Sequence, residues 1–418
     1  MLITGDQQLL KQINRMALVR KLCERPELSR ADLAETIGLT KSTVSLLVRE
    51  LVDEGWLRES GLVVTGSLGR RPTPLRVDAD RLCLLGADMG IDEARIVATS
   101  LVGDVLERVV IPYDDASDAA SCLKRVAKAL VRLASRRTAA GRQRGVLGLG
   151  VGMHGGVDES AGVLHFAPNL GWRNVDAAAQ LRRNLAGSGL AGLPLFVQNE
   201  ADVAALAEFE FVAPSAADPL VYLSVGHGVG AGVIVRDRLL TGFRGFAGEV
   251  GHTVLQAGGP RCACGRRGCA EALIGFGALL GDLGSIAPPR RVAAREAFFA
   301  RVDAGDAAAL KAVGGAGRHL GVLLNNLWVA FDPMRIVLGG PAMRFGDALL
   351  GPALAVLAEH ADAAQLQAPD IQRSRYGIDA VAVGAAALVR YHLTRPFTVP
   401  STSDNTARRR SRHEPAEH

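Results

Sequence analysis

The stretch GEVGHTVLQAGGPRCACGRRGCAE, Gly248 to Glu271, decides how this chain is read. Three of its six cysteines, Cys262, Cys264 and Cys269, fall within eight residues, and His252 lies ten residues before the first of them. One imidazole and three thiolates make a complete tetrahedral ligand set for zinc. No position is left for a substrate, so the ion implied is structural Zn2+, one per chain. Glycines at 258, 259, 265 and 268 let the backbone wind closely around a single ion. The competing reading is small buried or redox-active thiols, which the tight spacing disfavours in a cytosolic chain. Cys23, Cys83 and Cys122 sit in apolar patterns and read as core residues.

At 418 residues, two or three domains are expected. Apolar content of 48% with 22% charged residues describes a folded soluble protein. No apolar run reaches 18 residues, so a membrane span is not expected. The opening MLITGDQQLLKQINR lacks a signal-peptide layout, and six cysteines make no disulfide framework, which together point to the cytoplasm. Residues 1–76 carry 12 Lys and Arg against 9 Asp and Glu, and residues 395–418 carry 5 against 3. The net charge of +5 therefore sits at the two ends, where an anionic partner would find it.

Near the amino terminus, residues 7–24 place Leu9, Leu10, Ile13, Met16, Ala17 and Leu22 along one helix face. Then comes SRADLAETIGLTKSTVSLLVRELVDEGWL. Ser29 with Asp32 reads as a helix cap, Gly38 as a break, and Thr40 as the cap of the next helix. That helix turns Val44, Leu47, Val48 and Leu51 inward and leaves Lys41, Ser42, Thr43, Ser45 and Arg49 on its other side. Two short helices around a glycine turn, the second opening on hydroxyls and amines, is the helix-turn-helix plan. Those side chains suit phosphates and base edges of double-stranded operator DNA, and Thr40 belongs with them. Two strands follow around a basic tip with Arg70 and Arg71, a wing for the neighbouring groove. The alternative is a three-helix protein-interaction module. The segment resembles the winged helix-turn-helix domains of ROK-family repressors, where SRADLA, TVS and GRRP recur.

From Cys83 onward, short glycine-rich strands alternate with alanine-rich helices, as expected of a two-lobed α/β fold with a cleft. GHGVGAG, Gly226 to Gly232, could cradle phosphate, although glycines also mark plain turns. Residues 285–311 read as helical filler, and the tail RPFTVPSTSDNTARRRSRHEPAEH as disordered.

Here the resemblance is specific. AGEVGH with CACGRRGCAE, APNLGW (Ala167–Trp172), QNEADVAALAE (Gln198–Glu208), VGHGVGAGVI (Val225–Ile234) and NNLWVAFDPMRIVLGG (Asn325–Gly340) follow the order found in ROK sugar kinases and repressors. The resemblance implies an actin-like, hexokinase-like domain over residues 77–393, behind a winged helix-turn-helix over residues 1–76, with a tail at 394–418. It also implies that Asn169, Asn199, Glu200, Glu249, His252 and Glu271 hold a sugar, with His252 shared between sugar and zinc.

Two departures bear on catalysis. The family's first phosphate motif, roughly DxGGTK, is here DMGIDEAR: Ile91, Asp92 and Glu93 replace the second glycine, the hydroxyl and the lysine. Two carboxylates in that place are expected to repel a triphosphate. The family's catalytic Asp is Glu200, one methylene longer. His154 stands where the family has proline, and Asp202 where it often has asparagine. The resulting expectation is a sugar-responsive transcriptional repressor, not an enzyme, working as a homodimer or homotetramer on a small carbohydrate effector. The alternatives are an ATP-dependent sugar kinase with an added DNA-binding domain and a zinc-responsive regulator.

Overall fold

In the amino-terminal unit, three helices and a strand pair follow from local capping chemistry. The computed structural model describes residues 7–60, 73–113, 115–136, 141, 143–212, 218–281 and 287–396. The elements of this unit are α1 (Gln7–Glu24), α2 (Arg30–Ile37), α3 (Lys41–Asp53), β1 (Leu57–Glu59) and β2 (Leu75–Val77). Ser29 Oγ accepts from the Asp32 amide, and the Asp32 carboxylate accepts from the Ser29 amide at 2.9 Å, a reciprocal capping box. Thr40 caps α3 by accepting from the Thr43 amide at 3.2 Å. Val44, Leu47, Val48 and Leu51 of α3 are buried with Leu33 and Ala34 of α2.

Helix α1 departs from the sequence reading. Its buried residues are Met16, Leu18, Val19 and Leu22, whereas Leu10 is 51% exposed and Ala17 only half-buried. Eighteen residues of helix are longer than this small core, so only the carboxy-terminal half finds apolar partners. β1 and β2 pair antiparallel, Leu57 opposite Val77, as expected of a wing. Its tip, with Arg70 and Arg71, lies outside the described residues, as does the tail from residue 397.

Residues 78–389 form the second unit, and the chain from Arg390, including the last turn of the final helix, groups with the first. Its first lobe runs β3 (Leu82–Met89), β4 (Glu93–Thr99), β5 (Val105–Pro112), α4 (Ala119–Ala134), β6 (Gly145–Met153), β7 (Gly156–Asp158), β8 (Val163–Ala167), β9 (Trp172–Asp176), α5 (Ala177–Leu185), β10 (Leu195–Asn199) and α6 (Glu200–Ala207). The main sheet has the order β10-β6-β3-β4-β5, while β7, β8 and β9 make a small antiparallel sheet beside it. The second lobe runs β11 (Leu220–Val225), β12 (Val229–Val235), β13 (Arg238–Leu239), α7 (Ala270–Ile274), α8 (Phe276–Leu280), α9 (Pro288–Asp303), α10 (Ala307–Phe331), β14 (Arg335–Gly339), α11 (Asp347–Ala364), β15 (Asp370–Arg373) and α12 (Ala380–Thr394). Its sheet has the order β13-β12-β11-β14-β15.

The two orders are one topology used twice. Three antiparallel strands lead, and two parallel strands add to the far side of the first. Each lobe has its own apolar core, around Leu85, Leu130 and Val151 in the first and Leu223, Leu324 and Ile336 in the second. The closing helices are exchanged between lobes. α6 lies on β12, and α12 lies on β3 and β6. Where they cross, a Cβ on Gly384 would stand 1.9 Å from the Val203 carbonyl oxygen, so only glycine allows the approach. Thr394, assigned to the tail by the sequence, is the last residue of α12. Cys83 and Cys122 are buried as expected, but Cys23 is only half-buried. Among the described residues no helix is long and apolar enough to cross a membrane.

Candidate functional site

On the head, Lys41, Ser42 and Arg49 are exposed along α3, with Thr43 and Ser45 half-buried. All four named hydroxyls have local partners, Ser42 and Thr43 each sharing a hydrogen bond with Thr40 Oγ1 at 2.9 and 2.8 Å. Thr40 holds the cap, and Ser45 Oγ donates to the Lys41 carbonyl at 2.8 Å. Leu46, which the sequence reading passed over, is 55% exposed on the same stretch. An exposed leucine among serines and arginines is the type of group that meets a thymine methyl.

In the larger unit one cavity is lined by Asn169, Asn199, Glu200, Glu249, His252 and Glu271 together, with His154, Phe166 and Gly228 to Gly230 completing the wall. The side chains arrive from several elements. Asn169 sits in the β8–β9 turn, Glu200 opens α6, Glu249 and His252 flank a short 3-10 turn, and Glu271 opens α7. Asn199 is fully used within the protein. Its Oδ1 caps α6 by accepting from Ala201 N at 2.8 Å, and its Nδ2 donates to the Gly155 carbonyl at 2.9 Å and Glu200 Oε2 at 2.7 Å. It therefore aims Glu200. Glu271 Oε2 accepts from the Val229 amide at 3.3 Å. Burial, with Glu200 and Glu271 nearby, pushes Glu249 up to about 7. Asp202 is 1% exposed behind this wall and does not line it; burial raises its carboxyl well above the ordinary range.

Behind the cavity, the side chains of His252, Cys262, Cys264 and Cys269 converge, their ligand atoms all within 4.8 Å of one another. Cys264 and Cys269 Sγ are 3.7 Å apart, and Cys262 Sγ is 3.7 Å from His252 Nδ1. Bonds of about 2.3 Å at tetrahedral angles separate ligand atoms by about 3.8 Å, so the spacing suits a tetrahedral metal ion. The loop doubles back on itself to make this possible, with Gly268 N donating to the Pro260 carbonyl. Gly268 has φ 74°, and a Cβ there would strike the Gln256 carbonyl oxygen at 1.7 Å. His252 Nε2 faces the other way, 3.7 Å from Glu249 Oε2. One ring thus faces both the cysteine cluster and the cavity.

The β3–β4 turn corrects the expectation of two repelling carboxylates. Asp92 is 7% exposed and neutralised from the second lobe. Arg291 Nε donates to its Oδ1 at 3.0 Å, Arg295 Nη1 to its Oδ2 at 3.0 Å, and His227 Nε2 stands 3.4 Å away. Burial alone would raise this carboxyl, but His227 and the two guanidiniums outweigh it and hold it below its ordinary value. Glu93 pairs with Arg95. The arginines come from α9, in the segment read as filler. A visible sign was there, two arginines four residues apart on one helix face, but nothing local named their partner almost 200 residues away.

His154 stands at the position where the resemblance expects proline. It bridges the same region, with Nε2 3.5 Å from Asp88 Oδ1 and Nδ1 3.6 Å from Glu200 Oε1. Burial works against its charge, yet Glu200 and Asp88 prevail and raise it to about 9. Glu200 is itself raised by burial, an effect His154 opposes. His154 therefore lies between the two acidic side chains, which together favour its charged form. A second cavity of ≈ 390 Å³ opens on the far side of this bridge, lined by Asp88, Asp92, His227, Arg295 and Arg344 among others.

Comparison with known proteins agrees with this architecture. The sequence model of the ROK family matches residues 84–392, and that of the IclR helix-turn-helix domain matches residues 20–61. The chain is 30% identical over 404 residues to the xylose repressor of Caldicellulosiruptor bescii, covering 92% of this chain and 97% of that one. A solved ROK family transcriptional regulator, homologous to the Escherichia coli MLC protein, superposes with a TM-score of 0.72 at 24% identity, covering 92% of this chain and 97% of the other. A ROK family glucokinase from Streptomyces griseus, solved with glucose and AMPPNP, superposes with a TM-score of 0.60 at 24% identity over 74% of this chain and 99% of its own. The chain belongs to the ROK family, with an IclR-type helix-turn-helix in front of the ROK domain.

Proposed function

We propose that the chain is a sugar-responsive transcriptional repressor whose head binds operator DNA and whose cleft binds a small neutral carbohydrate without phosphorylating it. The observation that carries this reading is the single cavity lined by Asn169, Glu200, Glu249, His252 and Glu271 in a chain that also bears a helix-turn-helix. Vicinal hydroxyls need acceptors and donors in pairs, and carboxylates beside an amide and an imidazole supply them. Asn199 contributes by aiming Glu200. The relative named a xylose repressor makes a pentose the first sugar to try.

Structural Zn2+ fits the Cys3His cluster. Bound there, it would fix the His252 ring and supply no catalysis, because all four positions are taken. On DNA, Lys41, Ser42, Thr43, Arg49, Arg70 and Arg71 are the contacts we assign, with Thr40 and Ser45 shaping the start of the helix. Two heads per operator imply a homodimer or homotetramer. The regulatory head spans residues 1–76 and the sensor 77–393. Sugar acts by favouring one cleft geometry over another, and its effect on DNA is bounded by that difference in affinity.

The test is binding of the purified, zinc-loaded protein to its own promoter fragment, titrated with neutral and phosphorylated sugars with and without MgATP. One sugar shifting DNA affinity at least fivefold without ATP is the expected result. A shift seen only with MgATP, accompanied by ADP, would make the chain a kinase that also holds DNA.

A further inference from the structure

Two lobes of the same topology meet at corresponding hairpin turns, and the contact between them is ionic. From the first lobe comes the Asp92 carboxylate, at the tip of the β3–β4 turn. From the second come the Arg291 and Arg295 guanidiniums on α9 and the His227 ring at the β11–β12 turn. Arg291 Nη2 also donates to the Ile91 carbonyl at 3.2 Å, so the whole turn tip is gripped. Arg291 and Asp92 are 5% and 7% exposed, and the ≈ 390 Å³ cavity reaches Asp92, Arg295 and His227. Two guanidiniums and an imidazole converging on one carboxylate have the donor set of an oxyanion-binding site.

We propose that Arg291, Arg295 and His227 form an oxyanion site already filled by Asp92, which holds the lobes together without phosphate and closes the cleft to polyphosphate co-ligands. Asp92 is thus the residue that makes the sensor specific for sugar alone. Exclusion works by occupancy, because a phosphate group entering the cavity meets the Asp92 carboxylate already seated on Arg291 Nε and Arg295 Nη1. Other charges on the cavity wall are taken too, with Arg344 paired to Glu296 and Arg95 to Glu93. The consequence for sugar sensing rests on the function proposed above. The oxyanion site itself does not.

The experiment uses full-length zinc-loaded protein and inorganic pyrophosphate, read by calorimetry and by Tm against matched sodium chloride. Wild type should show no pyrophosphate binding up to millimolar concentrations. Asp92→Ala should bind it at least tenfold more tightly than wild type, with a rise in Tm, and adding Arg291→Ala should abolish the gain. Asp92→Asn keeps the shape without the charge and serves where the alanine variant does not fold. Its Tm should fall relative to wild type and recover partly with pyrophosphate. Equal pyrophosphate binding by wild type and Asp92→Ala overturns the proposal, and so does a folded Asp92 variant that gains none. No arm uses DNA or sugar, so failure of the repressor reading leaves this result interpretable.

Discussion

The β3–β4 turn and the β11–β12 turn occupy equivalent places in two copies of one topology, yet their sequences differ in kind. The first, GIDE, carries acidic side chains on a tip that is buried. The second, GHG, is nearly all backbone, with one imidazole. Facing each other across the cleft, they bring His227 Nε2 to within 3.4 Å of Asp92 Oδ2, a contact reinforced by the arginines of α9. Fold duplication explains why the turns meet. Only the residue types explain what they do there.

The comparison breaks most severely at Asp92. Asp92→Ala leaves the buried Arg291 guanidinium and the half-buried Arg295 without their anion, and we expect a loss of about 3–5 kcal/mol in urea unfolding. Combining it with Arg291→Ala should cost less than the two separate losses, because the remaining charge is removed with its partner. Additive losses would show that the turns are not coupled.

Next in size is the metal loop, which supports the second turn through Glu271 and the Val229 amide. Cys269→Ser, or chelation of wild type, should lower Tm by several degrees and weaken sugar binding at least tenfold, since His252 and Glu271 lose their support. Unchanged sugar affinity after verified metal removal would separate the loop from the cavity.

His154 sharpens the comparison by pH. Its folded pKa of about 9 lies above the ordinary value of 6.5, raised by Glu200 and Asp88. A raised folded pKa stabilises the fold fully below the unfolded value and loses that contribution as pH climbs through 9. His154→Gln should therefore cost about 1–2 kcal/mol at pH 6, progressively less as pH climbs from 6.5 to about 9, and little above it. A pH-independent difference would make His154 a packing residue only.

The head supplies the smallest effect and a control. Arg49→Ala should weaken promoter binding about tenfold, roughly 1.4 kcal/mol, while sugar affinity and the unfolding of the sensor stay unchanged.

Much of this was legible in sequence because it is local. Ser29 with Asp32, Gly38 and Thr40 announce their helices through bonds three or four residues long. The cysteine loop closes within its own stretch. His154 could be noticed but not interpreted, because its partners Asp88 and Glu200 lie far away on either side in the chain. Arg291 and Arg295 were passed over for the same reason, since an amphipathic helix with two arginines looks the same whether they face solvent or a buried aspartate. Helix α1 misled in the opposite direction. Its apolar periodicity continues past the end of the core that needs it.

The burial of the Asp92 cluster also sets how the molecule answers to ionic strength. Mobile ions screen exposed charges over about 8 Å at physiological salt but reach enclosed pairs poorly. A helix-turn-helix gripping phosphates releases counterions, and its affinity falls steeply as salt rises. Added salt should therefore strip the head from DNA while the sensor's lobes stay joined, which makes ionic strength a control for one half of the molecule that leaves the other half undisturbed.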